Sequence, residues 1–152
     1  MKQTTLCYIE DEDSYLMLHR TKKVNDENHD KWIGIGGKFE EGETPFECVR
    51  REISEEIGVI PRNLRYRGII TFVSDLYGTE YMHLFSANGY DGTISKNCDE
   101  GEPEFIKKVS IPYLPIWEGD KIFLSLLDTE EKFFSLKLIY EGEKLVDHKL
   151  EF

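Results

Sequence analysis

The sequence predicts an α+β or mixed α/β fold, with residues 1–152 forming a single domain. Segments of alternating apolar and polar residues, typical of β-strands, recur at both ends and in the middle of the chain. Two segments with helical periodicity lie between them. No repeat, low-complexity tract or Pro/Gly/Ser-rich linker divides the chain, and strands that flank two helices indicate this fold class.

The composition is that of a globular protein and disfavours several kinds of partner. Hydrophobic residues make up 39% and charged residues 32% of the chain, which is an ordinary balance. No apolar run approaches the ~20 residues of a membrane span, and the acidic N-terminal segment does not resemble a secretory signal. The cysteines, Cys7, Cys48 and Cys98, follow no CxxC spacing, which is typical of reduced thiols packed in a cytoplasmic protein.

The net charge of −11, from 19 basic and 30 acidic residues, has two interpretations. A DNA or RNA polymer is disfavoured as a partner because phosphate backbones require basic patches. The acidic residues either only keep the protein soluble or also hold divalent cations, which would then bind a small polyanion.

Local patterns predict the remaining elements in chain order. Residues 4–10 and 14–20 are predicted strands around an acidic turn. Residues 21–31 form a polar loop, and the glycine-punctuated stretch 32–43 is not helical. Further along are predicted strands at 65–75 and 79–90, a loop at 91–104, a strand at 105–111, a helix at 120–128 and a closing hairpin at 132–152.

The helix predicted at 45–57 is the best specified element. Thr44 is a favourable N-cap, Pro45 occupies the first helical position, and Glu47 completes a T-x-x-E capping box. Gly58 is a natural terminator just after the last turn. Four apolar residues fall within roughly 80° of one another and predict a core-facing stripe: Phe46, Val49, Ile53 and Ile57.

Glu52, Glu55 and Glu56 lie beside this stripe, at spacings of i, i+3 and i+4 that make them neighbours on one face. A glutamate run on a helix is usually solvated. Like charges at these spacings repel, however, by about a few tenths of a kcal/mol per pair, and Arg51 alone is placed to offset them. Glu55 and Glu56 also lie in the last turn, where the helix dipole disfavours negative charge. The pattern therefore indicates a bound cation, and carboxylate oxygens suit Mg²⁺, Mn²⁺ or Ca²⁺.

These glutamates belong to a longer pattern. In order it contains Gly37, five residues, Glu43, seven residues, Arg51-Glu52-Ile53, one residue, Glu55-Glu56, one residue and Gly58-Val59. The pattern matches the Nudix box, G-x5-E-x7-R-E-U-x-E-E-x-G-U with U aliphatic, at each fixed position. The chain therefore resembles the Nudix hydrolases. The match is specific for the superfamily and gives almost no information about the substrate.

The resemblance implies an α/β/α sandwich around a mixed β-sheet. It also implies hydrolysis of a pyrophosphate linkage in a nucleoside diphosphate that carries a further group. The expected cofactor is Mg²⁺, with Mn²⁺ as an alternative. The expected metal ligands are the carboxylates of Glu52, Glu55 and Glu56 and the main-chain carbonyl of Gly36.

The same resemblance assigns supporting roles. Arg51 would orient a glutamate by an ion pair, and Glu43 would help to fix the junction between loop and helix. A late loop acid often serves as an extra ligand or base in this family. Glu100 matches that position best by its spacing to the following strand, with Glu102 and Glu104 as alternatives. An acidic surface loop without function is an equal alternative for all three.

The resemblance extends beyond the box to MutT-type oxidised-purine nucleoside triphosphate pyrophosphatases. The segments "KWIGIGGKFEEGET" and "LPIWEGDKIFLSLL" and the closing hairpin are similar to the animal-type enzyme. By this match Trp117 stacks on the base and Asp120 bonds its edge, although Trp117 also suits a loop anchor packed on the core. Two departures weaken strict 8-oxo-purine recognition: Ile33 replaces an asparagine that reads the purine, and Gly119 replaces an acid.

Basic and glycine residues near the box are candidate phosphate contacts. Gly37 and Lys38 lie at the glycine turn that enters the box. Arg20, Lys22 and Lys23 form a basic patch before it and would steer a triphosphate tail. Solvated surface side chains are the alternative for each lysine.

The leading hypothesis is a Mg²⁺-dependent hydrolase that converts (deoxy)nucleoside triphosphates to monophosphate and pyrophosphate and so cleans the nucleotide pool. A second hypothesis keeps Nudix chemistry but moves the substrate to a nucleotide sugar, a dinucleoside polyphosphate or a capped RNA end. A third is a nucleotide sensor without catalysis, which is disfavoured because the box glutamates are all present. The expected partner is a small nucleotide, and the oligomeric state is left open.

Overall fold

The computed structural model describes residues 1–22, 25–96 and 98–152. Strands form most of its regular structure. The strands are β1 (Lys2–Asp11), β2 (Ser14–His19), β3 (Trp32–Ile33), β4 (Ile60–Pro61), β5 (Arg65–Ser74), β6 (Gly78–Asn88), β7 (Tyr90–Asp91), β8 (Glu102–Lys107), β9 (Phe134–Glu141) and β10 (Lys144–Glu151). The helices are α1 (Pro45–Ile57), α2 (Asp120–Thr129) and a 3-10 helix at Lys108–Tyr113.

A mixed sheet organises these elements, with strand order β10-β9-β5-β6-β1-β2-β3 and with β8 also paired to β2. β1 runs parallel to β6, and β5 runs parallel to β9. The other pairs are antiparallel. β4 and β7 form a separate two-stranded sheet. The mixed sheet predicted for this chain is therefore present.

Alternation along β1 divides the core into two apolar layers. Leu6 and Tyr8 face the layer that contains Phe123 of α2. Cys7 faces the opposite layer, which contains Ile53 of α1. Because successive strand residues point to opposite faces, one helix covers each side of the sheet. This confirms the α/β/α sandwich.

The ends of α1 follow the local signals in the sequence. The Glu47 N–H donates to the Thr44 hydroxyl at 3.1 Å, and the Thr44 N–H donates to the Glu47 carboxylate at 2.9 Å. Gly58 ends the helix with φ of 71°, a left-handed conformation that glycine adopts without a steric penalty. Val49 and Ile53 are fully buried under the helix. The opposite, polar face of α1 is thereby oriented away from the core.

The glycine segment before α1, residues 34–37, runs beside the N-terminal part of β1. The Thr5 N–H donates to the Gly37 carbonyl at 2.9 Å, and the Cys7 N–H donates to the Ile35 carbonyl at 2.7 Å. These bonds hold the glycine segment at the edge of β1, immediately before the helix that carries the acidic face.

The prediction was wrong around residue 105. β8 begins at Glu102, inside the predicted loop, and ends at Lys107, after which the chain forms a 3-10 helix in place of the predicted strand. β8 pairs with β2 along Ser14–His19, a long-range pairing that local patterns do not reveal. The short strands β3, β4 and β7 were not predicted either. The closing hairpin, β9 and β10, is confirmed.

Within the part of the chain that the structure describes, no helix has the length and apolar character needed to cross a membrane.

Thr44→Ala tests the cap of α1. The change removes the acceptor for the Glu47 N–H, so we expect the free energy of unfolding to fall by about 1 kcal/mol in urea denaturation. Thr129→Ala is the matched control, because the Thr129 hydroxyl donates to the Ser125 carbonyl and caps no helix N-terminus. Its effect should stay within ~0.5 kcal/mol. Equal losses in the two variants would contradict a role for the cap.

Candidate active site

Two glycines allow close approach of the main chain to its neighbours. A Cβ atom at Gly37 would lie 2.6 Å from the Glu52 carboxylate, and one at Gly36 would lie 2.0 Å from the Thr5 carbonyl oxygen. The carbonyls of Gly37 and Ile35 accept hydrogen bonds from β1. Alternation along this extended segment therefore turns the Gly36 carbonyl away from β1. That direction suits the metal-ligating role that the resemblance implies for it.

The Arg51 guanidinium joins the glycine loop to the acidic face of α1. Its Nε and Nη2 donate to the two carboxylate oxygens of Glu43 at 2.7 and 2.9 Å. Its Nη1 donates to Glu52 at 2.9 Å and to Glu55 at 3.2 Å, and Nη2 also donates to the Lys38 carbonyl at 3.0 Å. Hydrogen bonding from Arg51 lowers the pKa of Glu43 to about 2. The guanidinium thus orients the glutamates that crowd this face.

Glu56 and the half-buried Glu100 form a carboxyl pair beside Glu52. Burial, followed by a hydrogen bond and charge repulsion from Glu100, holds the pKa of Glu56 well above its usual range. Among the described residues, the buried Oε2 of Glu56 has no hydrogen-bond partner. Burial also raises the pKa of Glu52. Without a cation the Glu56 carboxyl retains its proton, and a divalent cation would displace this proton and give the orphaned oxygen a partner. The donor set therefore fits a hard cation.

The glutamates do not form a ready-made metal site. Across residues 1–22, 25–96 and 98–152, no three His, Cys, Asp or Glu side chains lie in a group that could hold a metal ion. Glu52 and Glu55 both bond to Arg51, and the Glu55 side chain is 59% exposed. To bind a cation together, these carboxylates would have to turn from the guanidinium towards Glu56.

Glu100 is the loop acid that the structure places at the site. It lines the same cavity as Glu52, and its charge contributes to the raised pKa of Glu52. Glu102 and Glu104 lie on β8, are exposed and do not line this cavity. Of the three candidates, Glu100 alone is therefore brought to the box glutamates.

The basic patch before the box is engaged with protein groups. Arg20 donates to Glu100 at 2.8 Å and to Asp26 at 2.8 Å, so its charge is shared between two carboxylates. Lys22 donates to the Cys98 carbonyl. Lys23 lies outside the described residues. Arg20 thus positions Glu100 and lines the cavity, and its charge is already compensated by two acids.

One cavity of about 930 Å³ contains most of the residues predicted for the site. Its size suits a nucleotide-sized ligand. The predicted residues that line it are Arg20, Ile33, Gly36, Gly37, Lys38, Glu52, Glu100, Trp117 and Asp120. The predicted residues outside this lining are Glu43, Arg51, Glu55 and Glu56.

Trp117 is both a core residue and part of the cavity wall. It is only 5% exposed. Its ring meets Phe72 and Tyr140 edge to face, with centroids 5.4 and 5.1 Å apart. Its indole N–H donates to the Asn28 side-chain oxygen at 2.8 Å, and the Lys31 ammonium lies over the ring. The expectation of a loop anchor is met, and little of the ring is left to stack on a base.

Asp120, the first residue of α2, is a buried acid at the same cavity. Burial raises its pKa to about 8, while the charge of Lys31 opposes this rise. Near neutral pH the side chain is therefore protonated and both donates and accepts hydrogen bonds. The preceding Gly119 is required by local packing, because a Cβ atom there would lie 2.5 Å from Leu138 Cδ1 and 2.8 Å from the Tyr140 hydroxyl. Any side chain at this position, including the second acid of the family pattern, would collide with these atoms.

The sequence patterns did not identify a polar cluster in the cavity wall. Lys2 on β1 pairs with Glu27 at 3.0 Å and with Glu80 of β6 at 3.3 Å. The Thr4 hydroxyl donates to Glu80 at 2.6 Å. Asn28 lines the same cavity. These residues come from two strands and a loop, so no local spacing relates them.

The sandwich carries an acidic, glycine-edged cavity, which suits a phosphorylated small molecule bound through carboxylate-held divalent cations. The NUDIX domain model matches residues 2–127, and the chain belongs to this family. It is therefore a Nudix pyrophosphohydrolase, and enzymes of this family generally use a divalent metal.

Three relatives show how far the likeness extends. The oxidized purine nucleoside triphosphate hydrolase of Danio rerio is 33% identical over 124 residues, which cover 80% of this chain and 78% of that protein. The Nudix hydrolase YvcI of Bacillus subtilis is 28% identical over 156 residues, covering 99% and 95%. The crystal structure of a MutT protein from Bacillus halodurans has a TM-score of 0.87 and 27% identity, covering 99% and 98%. The predicted family and fold are confirmed.

Asp120→Asn tests the buried acid through the pH dependence of stability. The folded-state pKa of about 8 lies above the unfolded value near 3.8, so folding takes up a proton between these two pH values. Wild-type stability should therefore fall as pH rises through this window, by at most about 1.4 kcal/mol per pH unit. In denaturant titrations at several pH values, Asp120→Asn should lack this fall in stability with rising pH. Asp11→Asn, at an exposed position, is the control, and parallel curves for wild type and Asp120→Asn would contradict the assignment.

Proposed function

We propose that this protein hydrolyses (deoxy)nucleoside triphosphates to the monophosphate and pyrophosphate with Mg²⁺, and that oxidised purine triphosphates are among its substrates. The observation that carries this is a single cavity shared by Glu52, Glu100 and the glycine loop with Trp117 and Asp120. The name of the Danio rerio relative supports the same substrate class. An enzyme of this kind would remove damaged nucleotides from the pool.

Five oxygen donors would hold the ion. They are the carboxylates of Glu52, Glu55, Glu56 and Glu100 and the carbonyl of Gly36, and such donors suit Mg²⁺. When bound, the ion would neutralise the pyrophosphate oxygens and lower the pKa of the attacking water.

The protein's own groups would position the reactants and move the proton. Arg51 keeps Glu52 and Glu55 on one side of the helix and is itself fixed by Glu43. Glu100 would accept the proton of the attacking water, because it lies next to Glu56 and is held by Arg20. The Arg51–Glu43 and Arg20–Glu100 contacts are made before substrate binds, whereas Glu52 and Glu55 would have to leave the guanidinium to bind the ion.

The other lining residues would hold the nucleotide. Ile33 and the exposed edge of Trp117 would form an apolar wall for the base, and neutral Asp120 would bond to its edge. Gly37 and Lys38 would lie against the phosphates. A small nucleotide in the cytoplasm, rather than a nucleic-acid polymer or a membrane, is the partner we propose for this single domain of residues 1–152.

Hydrolysis of another nucleoside diphosphate derivative, such as a nucleotide sugar or dinucleoside polyphosphate, is the alternative. The observation that favours it is Ile33, whose apolar side chain lines the cavity and cannot read a purine edge. The carboxylate cluster would perform the same chemistry on these substrates.

A pyrophosphate-bond hydrolysis screen would separate the two substrate classes. The screen covers normal and oxidised nucleoside triphosphates, nucleotide sugars and dinucleoside polyphosphates, with product identity read by chromatography. We expect a triphosphate to give the highest kcat/KM, with monophosphate and pyrophosphate as products. Hydrolysis restricted to sugar-linked or dinucleoside substrates would reject the triphosphate function and support the alternative.

Glu56→Gln tests the proposed metal site. The change removes one ligand and replaces a carboxyl that burial keeps neutral with a neutral amide of the same shape, so the fold should be retained. We expect kcat to fall by more than about 100-fold, since a lost metal contact costs several kcal/mol in the transition state. The rise in melting temperature on adding Mg²⁺ should shrink as well.

Glu104→Gln is the matched control for this change, because Glu104 is exposed on β8 and does not line the cavity. It should keep wild-type kcat and the wild-type response to Mg²⁺. Full activity with unchanged metal dependence in Glu56→Gln would remove Glu56 from the site.

A further inference from the structure

The base end of the cavity lacks a hydrogen-bonding side chain at position 33. Ile33 lines the cavity but neither donates nor accepts a hydrogen bond. Neutral Asp120 donates and accepts equally, so it tolerates either kind of group on a base edge. Directional recognition of a base therefore requires another polar residue near Trp117.

Asn28 has the position that such a residue needs. It lines the cavity together with Ile33, Trp117 and Asp120. Its side-chain oxygen accepts the indole N–H of Trp117 at 2.8 Å. An indole nitrogen only donates, so this contact requires the oxygen branch of the amide to face Trp117. The NH₂ branch is therefore directed elsewhere as a donor, and it has no hydrogen-bond acceptor among the residues that the structure describes.

Both ends of this contact are held in place. Trp117 is fixed in the core between Phe72 and Tyr140. The Asn28 carbonyl accepts the Lys31 N–H at 2.9 Å, which closes a turn in the loop. A donor whose orientation is set before the ligand arrives discriminates more strongly than a mobile one.

The loop is also held just before Asn28. Asp26 accepts from Arg20 at 2.8 Å, and Glu27 accepts from Lys2 at 3.0 Å. The two acids that precede Asn28 are therefore already paired with cations, and neither competes for its amide hydrogens in these contacts.

We propose that Asn28 determines base specificity, with its amide N–H donating to a carbonyl oxygen on the edge of a base in this cavity. This role of Asn28 rests on the proposed function, because it requires that the cavity binds a nucleotide. An oxo-purine such as guanine presents such an acceptor. Adenine presents an amino donor there, which would leave two donors facing each other and cost binding.

The test measures the dissociation constants of dGMP and dAMP by calorimetry near neutral pH. Wild type should bind dGMP at least about tenfold more tightly, the discrimination expected of one well-placed hydrogen bond. Asn28→Asp keeps an oxygen for Trp117 and replaces the donor by an acceptor, so it should reduce the dGMP/dAMP preference by about tenfold or more.

Asn25→Asp is the matched control. Asn25 is exposed at the same cavity, so the control adds the same charge without removing the proposed donor. The dGMP/dAMP preference of Asn25→Asp should stay within about twofold of the wild-type preference. If Asn28→Asp fails to fold, as judged by thermal melting, Asn28→Ala carries the same expectation because it also removes the donor.

Equal affinity of wild type for dGMP and dAMP would overturn the role of Asn28. So would an unchanged preference in the folded Asn28 variant, or the same loss in the Asn25 control. Binding of monophosphates is independent of which pyrophosphate bond the enzyme cleaves. If the triphosphate function is wrong, only the hydrolysis screen will show it. If the base-reading role of Asn28 is wrong, only the dGMP and dAMP affinities will show it.

Discussion

The acidic site depends on the hydrogen bonds of a single guanidinium. Arg51 is bound by both oxygens of Glu43, by Glu52 and Glu55 on its own helix, and by the Lys38 carbonyl. Without this cation the glutamates of α1 would repel one another in a turn where the helix dipole also disfavours them. The same contacts connect the glycine loop to the helix, so Arg51 also fixes the position of the loop relative to the helix.

Other parts of the fold compensate for this crowding. The capping box and the glycine terminator hold both ends of α1, and its apolar stripe is buried against the sheet. Burial of each large apolar side chain contributes about 1.5–3 kcal/mol, against repulsions of about a few tenths of a kcal/mol per pair. The helix therefore tolerates acidic residues whose own contribution to folding is unfavourable. Burial keeps the Glu56 carboxyl protonated until a cation replaces its proton.

The end of the cavity near Trp117, where we propose that the base binds, is shaped by packing and burial. Trp117 is packed between aromatic rings, and Asp120 is kept neutral by burial. Gly119 makes room for Leu138 and for the hydroxyl of Tyr140, so the two departures from the MutT-type pattern have different origins. The glycine is demanded by packing, whereas Ile33 changes the chemistry of the wall. We therefore expect specificity at this end to depend on residues outside the family motif.

The sequence by itself determined the helix caps, the apolar stripe, the box glutamates and the closing hairpin. Each of these depends on residues a few positions apart, where local spacing determines the geometry. The tertiary structure decided which loop acid reaches the box, because pairing of β8 with β2 leaves Glu102 and Glu104 on the strand and Glu100 at the cavity. It also decided that Arg20 is engaged by acids and that Asn28 meets Trp117. These contacts join residues distant in the chain, and long-range pairing and burial, not local spacing, bring them together.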